Sequence, residues 1–408
     1  MTLEVIVIGG GAAGFFGAIS ITETNPSIKV TLIEAGRKPL AKVRISGGGR
    51  CNVTHHCFDP ALLSQNYPRG GKALRGAFTR FQPQDTIHWF ESRGAKLKTE
   101  ADGRMFPITD SSETIINCLM NGIKRSGVIL RTGVAVKNVS YEKCFQVELK
   151  NGEKLSCDRL FIATGSNPLG YRWAKALGHN IESPVPSLFT FNIKDPRFQG
   201  LAGVSVQSAV VRLGSGKNKL EQTGAVLITH WGLSGPAILK LSAWAARSLY
   251  DLNYTASLQI NWLPEFNRET LTEYLLTIKS QHPKKKIFSF CPLELPKRLW
   301  QSLAISAGIN PEKIWTELSK KELNKLATEI VQGQYQITGK GVFKEEFVTC
   351  GGVNLKEINF KTMESKKCPG LYFAGEVLDI DGVTGGFNFQ SAWTTSWLAG
   401  VAIANSIK

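Results

Sequence analysis

The stretch RISGGGRCNVTHHC, residues 44–57, contains residue types that could do three kinds of chemistry. Cys51, His55, His56 and Cys57 could bind a metal, although neighbouring histidines do not easily join one tetrahedral set and no second ligand cluster is evident. The two cysteines could instead form a redox dithiol. The three glycines could form a loop whose backbone approaches a bound molecule, because glycine has no Cβ in the way. The residue types alone leave these three interpretations open.

The N-terminus predicts a dinucleotide-binding turn. The β-branched run Val5–Ile8 is typical of a buried parallel strand, and it leads into Gly9-x-Gly11-x-x-Gly14. The first glycine allows a tight turn, the second lets the backbone approach a pyrophosphate, and the third lets the next helix pack on the strand. The following strand, KVTLIEAG, ends in Glu34, whose carboxylate could accept hydrogen bonds from an adenosine ribose. These features together predict a site for NAD or FAD.

Two later strands end in motifs that could complete such a site. A strand over Leu160–Ala163 stops at Thr164-Gly165, where a glycine would let the chain pass close to a cofactor. Another strand over Leu371–Ala374 stops at Gly375-Glu376. Flavoproteins of the glutathione reductase type place the fingerprint at the extreme N-terminus and close the flavin site with such later segments. We therefore predict FAD, with Glu376 hydrogen-bonded to a ribityl hydroxyl.

A helix is predicted to begin near Gly386 to Asn388. Its positive end would point at the pyrimidine end of the flavin ring, where negative charge develops on reduction. The helix carries Trp393 and Trp397 at helical spacing, and this pattern favours core packing over stacking on flavin.

The composition of the chain limits the classes of protein to which it could belong. At 408 residues, with 42% hydrophobic and 20% charged residues, the chain is long enough for more than one domain and contains no long apolar run. Its N-terminus is expected to be a strand that enters a turn rather than a signal peptide. Eight scattered cysteines without a C-x-x-C pair favour reduced thiols and a cytoplasmic location. Lysine and arginine outnumber acids by 49 to 33, so nucleic acid is a conceivable partner, although no recognised binding motif accompanies the charge.

The middle of the chain predicts inserted units. Pro184 and Pro186 mark a boundary, after which the pattern is β-rich and then, from about Asn267, helical. Ser234 is predicted to cap a helix that begins at Pro236. The residues from Ser319 to Glu322 form a capping box at another helix start.

His230 precedes a glycine turn and is the one catalytic candidate, as an acid or base facing the flavin. A structural histidine, hydrogen-bonded within the turn, is the alternative.

Five segments resemble, in this order, the BaiN/YhiN-type flavoproteins, which are aminoacetone oxidase-like or dehydro-bile-acid reductase-like. The segments are VIVIGGGAAG, GRKPLAKVRISGGGRCNVTH, LITHWGLSGPAILKLS, VTCGGVNLKEI and TMESKKCPGLYFAGEVLDIDGVTGGFNFQSAWTT. The resemblance implies non-covalent FAD and makes Ser46 to Asn52 a second cofactor loop. Family members often carry a longer glycine-rich insert after A-T-G, which this chain lacks. Its cysteine pair also has five intervening residues, where redox-active glutathione reductase-type enzymes have four.

The expected fold class is α/β, with a glutathione reductase-type Rossmann-like FAD-binding domain and inserted β-rich and helical domains. Expected boundaries are 1–186 with 346–408 for the FAD-binding domain, 187–262 with 331–345 for the β-rich domain, and 263–330 for the helical subdomain. The cofactor-binding candidates lie at these turns and loops: Gly9, Gly11, Ala12, Ala13, Gly14, Glu34, Ala35, Ser46, Gly47, Gly48, Gly49, Arg50, Cys51, Asn52, Ala135, Ala163, Thr164, Gly165, Gly375, Glu376, Gly385, Gly386, Phe387 and Asn388. No metal is expected.

The predicted function is that of an FAD-dependent oxidoreductase, with hydride transfer between flavin N5 and a small organic substrate or NAD(P)H. Only one dinucleotide fingerprint is visible, so NAD(P)H would dock transiently. An RNA-modifying flavoenzyme and a non-catalytic flavin-binding protein are the alternatives. The sequence does not distinguish amine oxidation from enone reduction.

Overall fold

A computed structural model describes residues 2–214, 219–341 and 348–406. Within them the strands, in chain order, are β1 Glu4–Ile8, β2 Lys29–Glu34, β3 Thr54–His55, β4 Leu97–Thr99, β5 Arg104–Pro107, β6 Ile129–Thr132, β7 Val136–Tyr141, β8 Phe145–Leu149, β9 Lys154–Cys157, β10 Arg159–Ile162, β11 Ile181–Ser187, β12 Phe191–Asn192, β13 Ser205–Leu213, β14 Leu220–Ile228, β15 Gly232–Ser234, β16 Ala256–Asn261, β17 Gly333–Ile337, β18 Gly339–Lys340, β19 Val348–Val353, β20 Ile358–Asn359, β21 Glu364–Ser365 and β22 Leu371–Phe373.

The helices of the same residues, in chain order, are α1 Ala12–Thr24, α2 Ala41–Gly49, α3 Pro60–Ser64, α4 Gly71–Phe78, α5 Pro83–Glu91, α6 Ser112–Arg125, α7 Pro168–Ala176, α8 Pro236–Trp244, α9 Ala246–Asp251, α10 Arg268–Gln281, α11 Lys297–Ser306, α12 Lys320–Gln332 and α13 Phe387–Ala404. No helix in the described part of the chain is both long enough and apolar enough to cross a membrane.

The chain divides into two compact units. Unit 1 is Met1–Val185 with Val348–Lys408, and unit 2 is Pro186–Phe347. The three-part division with a separate helical subdomain stays a prediction, and its boundary at residues 345 and 346 lies outside the described residues.

Unit 1 is built on a seven-stranded sheet with the order β20-β21-β22-β10-β1-β2-β6. The strands β22, β10, β1, β2 and β6 run parallel. The apolar residues of β22, β10, β1 and β2 are almost wholly buried, whereas Ile129 of β6 is exposed. Because β1 pairs with β2 on one side and with β10 on the other, chain connections diverge at the carboxyl end of β1, which is where open α/β sheets bind ligands.

Two helices of unit 1 pack closely because glycines remove side chains between them. A Cβ on Gly400 of α13 would lie 2.6 Å from the Cβ of Ser20 on α1. A Cβ on Gly17 of α1 would lie 2.2 Å from the ring of Phe161 on β10. These close approaches hold α1 between the sheet and α13.

Unit 2 is built on a second seven-stranded sheet, with the order β17-β16-β13-β14-β15-β12-β18 and antiparallel pairing throughout the paired strands described. Helix α12 packs against α10 and against α11, and the three helices share one apolar core with this sheet. Trp262, Trp300 and Trp315 lie fully buried in that core.

Local expectations were mostly confirmed. The strands expected at 160–163 and 371–374 are β10 and β22, shifted or shortened by one residue, and Ser319 forms the capping box with Glu322. Trp393 is fully buried, as a core residue should be. The cap predicted for Ser234 was wrong, because this residue ends β15 and Gly235, at φ 98°, precedes Pro236 without a side-chain cap.

Candidate functional site

The carboxyl ends of β1, β10 and β22 bring three predicted motifs together in unit 1. A Cβ on Gly9 would lie 2.4 Å from the carbonyl oxygen of Ala163, so only glycine lets β1 turn this close to β10. A Cβ on Gly375 would lie 2.9 Å from the Cβ of Ala13. The sheet therefore assembles the fingerprint turn, the A-T-G turn and the Gly375 turn at one edge.

The glycines of the fingerprint differ in what surrounds them. A Cβ on Gly14 would lie 1.9 Å from the carbonyl oxygen of Gly9, so this glycine serves packing. Gly11 is the N-cap of α1 and makes no side-chain cap bond, and no heavy atom lies within 4 Å of its Cβ position. The start of α1, formed by Ala12 and Ala13, thus presents a helix N-terminus to open space, as pyrophosphate binding requires.

Glu34 ends β2 beside this turn. Its carboxylate accepts hydrogen bonds from the backbone N–H groups of Gly10 and Gly36, both at 2.6 Å. These bonds fix the carboxylate at the fingerprint, and each oxygen keeps lone-pair capacity for a ribose hydroxyl. Ala35 is exposed next to it. Ala135 follows Val134, whose N–H donates to the Glu34 carbonyl at 3.0 Å, so Ala135 also lies close to the end of β2.

The loop Ser46 to Asn52 leaves the helical conformation at Ser46, where ψ is 149°. The next three residues, Gly47, Gly48 and Gly49, have φ values of 57°, 69° and 85°. No heavy atom lies within 4 Å of the Cβ positions of Gly48 and Gly49. Left-handed backbone beside open space fits a loop whose main chain faces a ligand.

This loop is attached to the start of α13. Asn52 donates to the Thr54 carbonyl at 3.1 Å and accepts from the Gly386 N–H at 3.0 Å. The His55 ring hydrogen-bonds the Gly385 carbonyl at 2.9 Å and stacks on Phe387 with ring centroids 4.5 Å apart. Two segments separated by more than 300 residues therefore form one wall of the site.

Arg50 and Asn388 also have intramolecular partners. Arg50 donates to Glu100 at 2.6 Å and lies 3.9 Å over the Phe106 ring. The Asn388 amide exchanges two hydrogen bonds with the backbone of Gly382, at 2.8 and 2.9 Å. These two side chains fix the shape of the loops, so any contact they make with a cofactor would be additional.

The two thiols are not activated. Burial raises the pKa of Cys51 to about 12, and burial also raises the pKa of Cys57. Neither cysteine is in a disulfide. A redox dithiol needs a thiolate at neutral pH, so this environment disfavours that alternative. Among the described residues no cluster of three or more His, Cys, Asp or Glu side chains could hold a metal.

Glu376 has a partner that sequence motifs did not indicate. Its carboxylate accepts from the Lys42 ammonium at 2.6 Å and from the Thr349 N–H at 2.9 Å. Gly165, at φ 59°, places its Cβ position 3.6 Å from the same carboxylate. The hydroxyl of Thr164 lies 2.0 Å from the Cβ position of Gly170 in α7, so Thr164 would reach a cofactor through its backbone.

A buried ion pair supports the loop before α13. The Arg69 guanidinium forms two hydrogen bonds with Asp381, which is fully buried. Burial lowers the pKa of Arg69, but its bond to Asp381 outweighs burial and the net pKa is raised. The Tyr67 hydroxyl donates to the Phe387 carbonyl at 2.6 Å. Neither Arg69 nor Tyr67 was a candidate from the sequence, because no local motif links residues 67–69 to residues 381–387.

His230 lies in unit 2, in the turn between β14 and β15. It is exposed and contributes to the lining of a hollow of about 1030 Å³ in that unit. Its catalytic role stays a prediction.

A Rossmann-type fold of the FAD-binding oxidoreductases is defined by the parallel sheet, the glycine turn, the acid at the end of β2 and the helix start at Gly386. The chain belongs to the HI0933-like family, whose Rossmann domain model matches residues 3–402. The predicted family resemblance and fold class are thereby confirmed.

Two relatives align along nearly the whole chain. A ribosomal RNA dihydrouridine synthase of Escherichia coli K12 is 33% identical over 97% of this chain and 96% of its own length. A 3-dehydro-bile acid delta(4,6)-reductase of Clostridium scindens is 28% identical over 98% of both chains. Among solved structures, 3-ketosteroid-delta4-(5alpha)-dehydrogenase from Rhodococcus jostii RHA1 matches with a TM-score of 0.51 and 12% identity over 99% of this chain and 97% of that one, which supports the fold alone.

Proposed function

We propose that this protein is an FAD-dependent reductase that adds hydrogen to a carbon–carbon double bond conjugated with a carbonyl group, and that its substrate is a uridine within RNA. The cofactor part of the proposal depends on one observation: the open space at the Gly11 N-cap of α1, at the carboxyl edge of the parallel sheet. The direction of the reaction is supported by the names of two relatives, a dihydrouridine synthase and a bile-acid reductase.

The residues present fit FAD. The pyrophosphate would lie at Gly11 and the start of α1, the adenosine ribose at Glu34, and the ribityl chain at Glu376. The glycine loop 46–52 would cover the flavin with backbone atoms. Bound FAD would supply the redox chemistry, taking hydride from a donor such as NAD(P)H and passing it to the conjugated carbon of the substrate.

The chain itself would orient the reactants and adjust local charge. Lys42 and Glu376 hold each other at 2.6 Å, which fixes a cation and an anion beside the predicted ribityl position. The start of α13 would place a helix dipole where negative charge develops. The hydrogen bonds of Asn52 and His55 keep that helix start in position. His230 is the proposed proton donor to the substrate carbon next to the carbonyl.

RNA as substrate is supported by charge as well as by the 33% identical relative. Lysine and arginine exceed acids by 29 to 20 in unit 1 and by 20 to 13 in unit 2. Excess positive charge on both units suits a polyanion, because neutralising phosphates releases counterions and strengthens binding. A small conjugated ketone would require no such charge.

The test follows the flavin spectrum without oxygen. Purified protein is reduced with NADPH or NADH, and then a uridine-containing RNA, a conjugated 3-keto steroid or an amine is added separately. We expect the flavin bands to bleach with a nicotinamide and to return with RNA, together with two added hydrogens on uracil by mass spectrometry.

Other outcomes would overturn the proposal in distinct ways. Reoxidation by the steroid alone would make the protein a small-molecule reductase, and bleaching only with the amine would make it an oxidase. Bound flavin that no donor reduces would indicate a non-catalytic flavin-binding protein. Failure to bind FAD at all would remove the central assignment.

A further inference from the structure

Unit 2 carries a groove that combines an exposed aromatic ring with unneutralised cations. Its first hollow, of about 1030 Å³, is lined by residues that include Lys194, Thr229, His230, Trp231 and Arg298. The Trp231 side chain is 40% exposed. An indole ring is a stacking surface that accepts any nucleobase, since every base has a π face.

The turn that presents Trp231 is rigid. The Thr229 N–H and hydroxyl both donate to the Gly232 carbonyl, at 2.8 and 3.1 Å, and close the turn around His230 and Trp231. The Trp231 carbonyl accepts from the Ile193 N–H at 2.9 Å. A platform held in this way loses little conformational entropy when a base stacks on it, which favours binding.

The charge of the groove is positive. Lys194 and Arg298 line it, and neither forms a salt bridge within the described residues. The acid on this wall, Asp195, is held by Arg197 at 2.7 and 2.8 Å and has a lowered pKa despite burial, because Arg197 bonds it. Arg197 also binds Glu329, which lines the adjoining hollow, at 2.6 Å. The lining of the two hollows therefore holds three cations and two acids, and Lys194 and Arg298 are the cations left for an anionic ligand.

The groove is long enough for more than one nucleotide. A second hollow of about 1000 Å³ adjoins the first, and the two share Asp195, Gln199, Gly200 and Arg298. The Arg298 guanidinium donates to the Gly200 carbonyl, which fixes a cation at the junction. Each hollow reaches the upper end of the ~300–1,000 Å³ range of small-ligand pockets, so an extended ligand suits the pair better than a compact one.

We infer that this groove binds single-stranded RNA, with one base stacked on Trp231 and the neighbouring phosphates at Lys194 and Arg298. The inference rests on the proposed function for the identity of the reaction, but the groove's binding can be measured without turnover.

The experiment measures binding of a fluorescently labelled, uridine-containing single-stranded oligoribonucleotide by anisotropy at several salt concentrations. Trp231→Ala is expected to weaken binding about 5- to 150-fold, whereas Trp231→Phe keeps a ring and most of the affinity. Trp244→Ala, a tryptophan of similar exposure outside both hollows, is the matched control and is expected to have no effect.

Charge is tested in the same way. Lys194→Gln is expected to reduce the slope of log affinity against log salt by about 0.7, the value for one phosphate contact on a single strand. Lys284→Gln makes the same charge change at an exposed lysine outside the groove and should leave the slope unchanged. Circular dichroism and flavin content of every variant would exclude loss of folding as the cause.

Three results would overturn the inference that this groove binds RNA. They are unchanged RNA affinity in Trp231→Ala, equal losses of RNA affinity in Trp231→Ala and Trp244→Ala, and competition by polyglutamate as strong as that by unlabelled RNA, which would indicate a general acidic partner. If RNA binding depends on Trp231 but RNA does not reoxidise the reduced flavin, the proposed function is refuted and RNA binding in the groove stands. If RNA reoxidises the flavin but Trp231→Ala binds RNA unchanged, RNA binding in the groove is refuted and the proposed function stands.

Discussion

Replacing Gly11 with alanine is expected to prevent tight FAD binding while leaving the protein folded. Gly11 has φ −91° and ψ −170°, which an L residue adopts, and no heavy atom lies within 4 Å of the added Cβ. The methyl group would instead occupy the space through which a pyrophosphate approaches α1. Losing two charge-assisted hydrogen bonds of about 1.5–3 kcal/mol each predicts a Kd about 150-fold higher or more.

Two matched glycine substitutions separate this effect from folding. Gly76→Ala lies within α4 with no heavy atom within 4 Å, and it should leave FAD affinity unchanged and stabilise the fold by about 0.5–1 kcal/mol. Gly14→Ala would place a Cβ 1.9 Å from the Gly9 carbonyl oxygen and should destabilise the apoprotein. Gly11→Ala should cost the apoprotein only about 0.5–1 kcal/mol, through a poorer N-cap.

The assay is titration of apoprotein with FAD, followed by quenching of flavin fluorescence, beside thermal unfolding of each apoprotein. Wild-type affinity in Gly11→Ala would refute the placement of the pyrophosphate at this turn. A large drop in the unfolding temperature of Gly11→Ala would show that the space is not open in the folded chain, and the structural argument would be wrong.

Three further substitutions test other parts of unit 1 and the catalytic candidate. Glu376→Gln keeps the shape of the side chain but removes its charge, so FAD affinity should fall about 5- to 10-fold by titration, whereas Glu148→Gln at an exposed ion pair should have no effect. Burial raises the pKa of Glu357, but hydrogen bonds led by that of Lys367 outweigh burial and lower the pKa to about 2. A lowered carboxyl pKa stabilises the fold at pH values above the unfolded-state pKa of about 4.5, and this contribution is lost as the pH falls towards 2. The free energy of unfolding of Glu357→Gln, measured in urea, should therefore depend less on pH between about 4.5 and 2 than that of the wild type. Equal pH dependence of the two proteins would contradict the assignment. His230→Asn should lower kcat about 100-fold or more while NAD(P)H still bleaches the flavin, and an unchanged kcat would remove its role as proton donor.

The strands and the fingerprint turn could be predicted because their causes are local. Val5–Ile8 is a β-branched run, β2 is a largely apolar run that ends at Glu34, and β10 is an apolar run that leads into Ala163-Thr164-Gly165. The fold class was predicted from these elements together with the resemblance of five longer segments to a flavoprotein family. The start of α8 at Pro236 was equally local, although its cap was not, because the left-handed Gly235 takes the N-cap position.

The ion pairs of the site could not be predicted in this way. Lys42 and Glu376 are 334 residues apart, and Arg69 and Asp381 are 312 residues apart. Neither pair belongs to a spacing pattern, and each forms only because β1, β10 and β22 bring the two ends of the chain to one sheet edge. The groove of unit 2 could not be predicted for the same reason, because Trp231 and Arg298 lie far apart in the sequence on separate elements.

The stretch RISGGGRCNVTHHC shows why residue types alone left three chemistries open. Cys51 is buried at φ 63° with a raised pKa, so it offers neither a thiolate nor an accessible ligand. His55 hydrogen-bonds Gly385, and Asn52 hydrogen-bonds Thr54 and Gly386, so these two residues join the loop to the start of α13. What remains directed at open space is glycine backbone, and this arrangement favours a cofactor cradle over a metal centre or a dithiol.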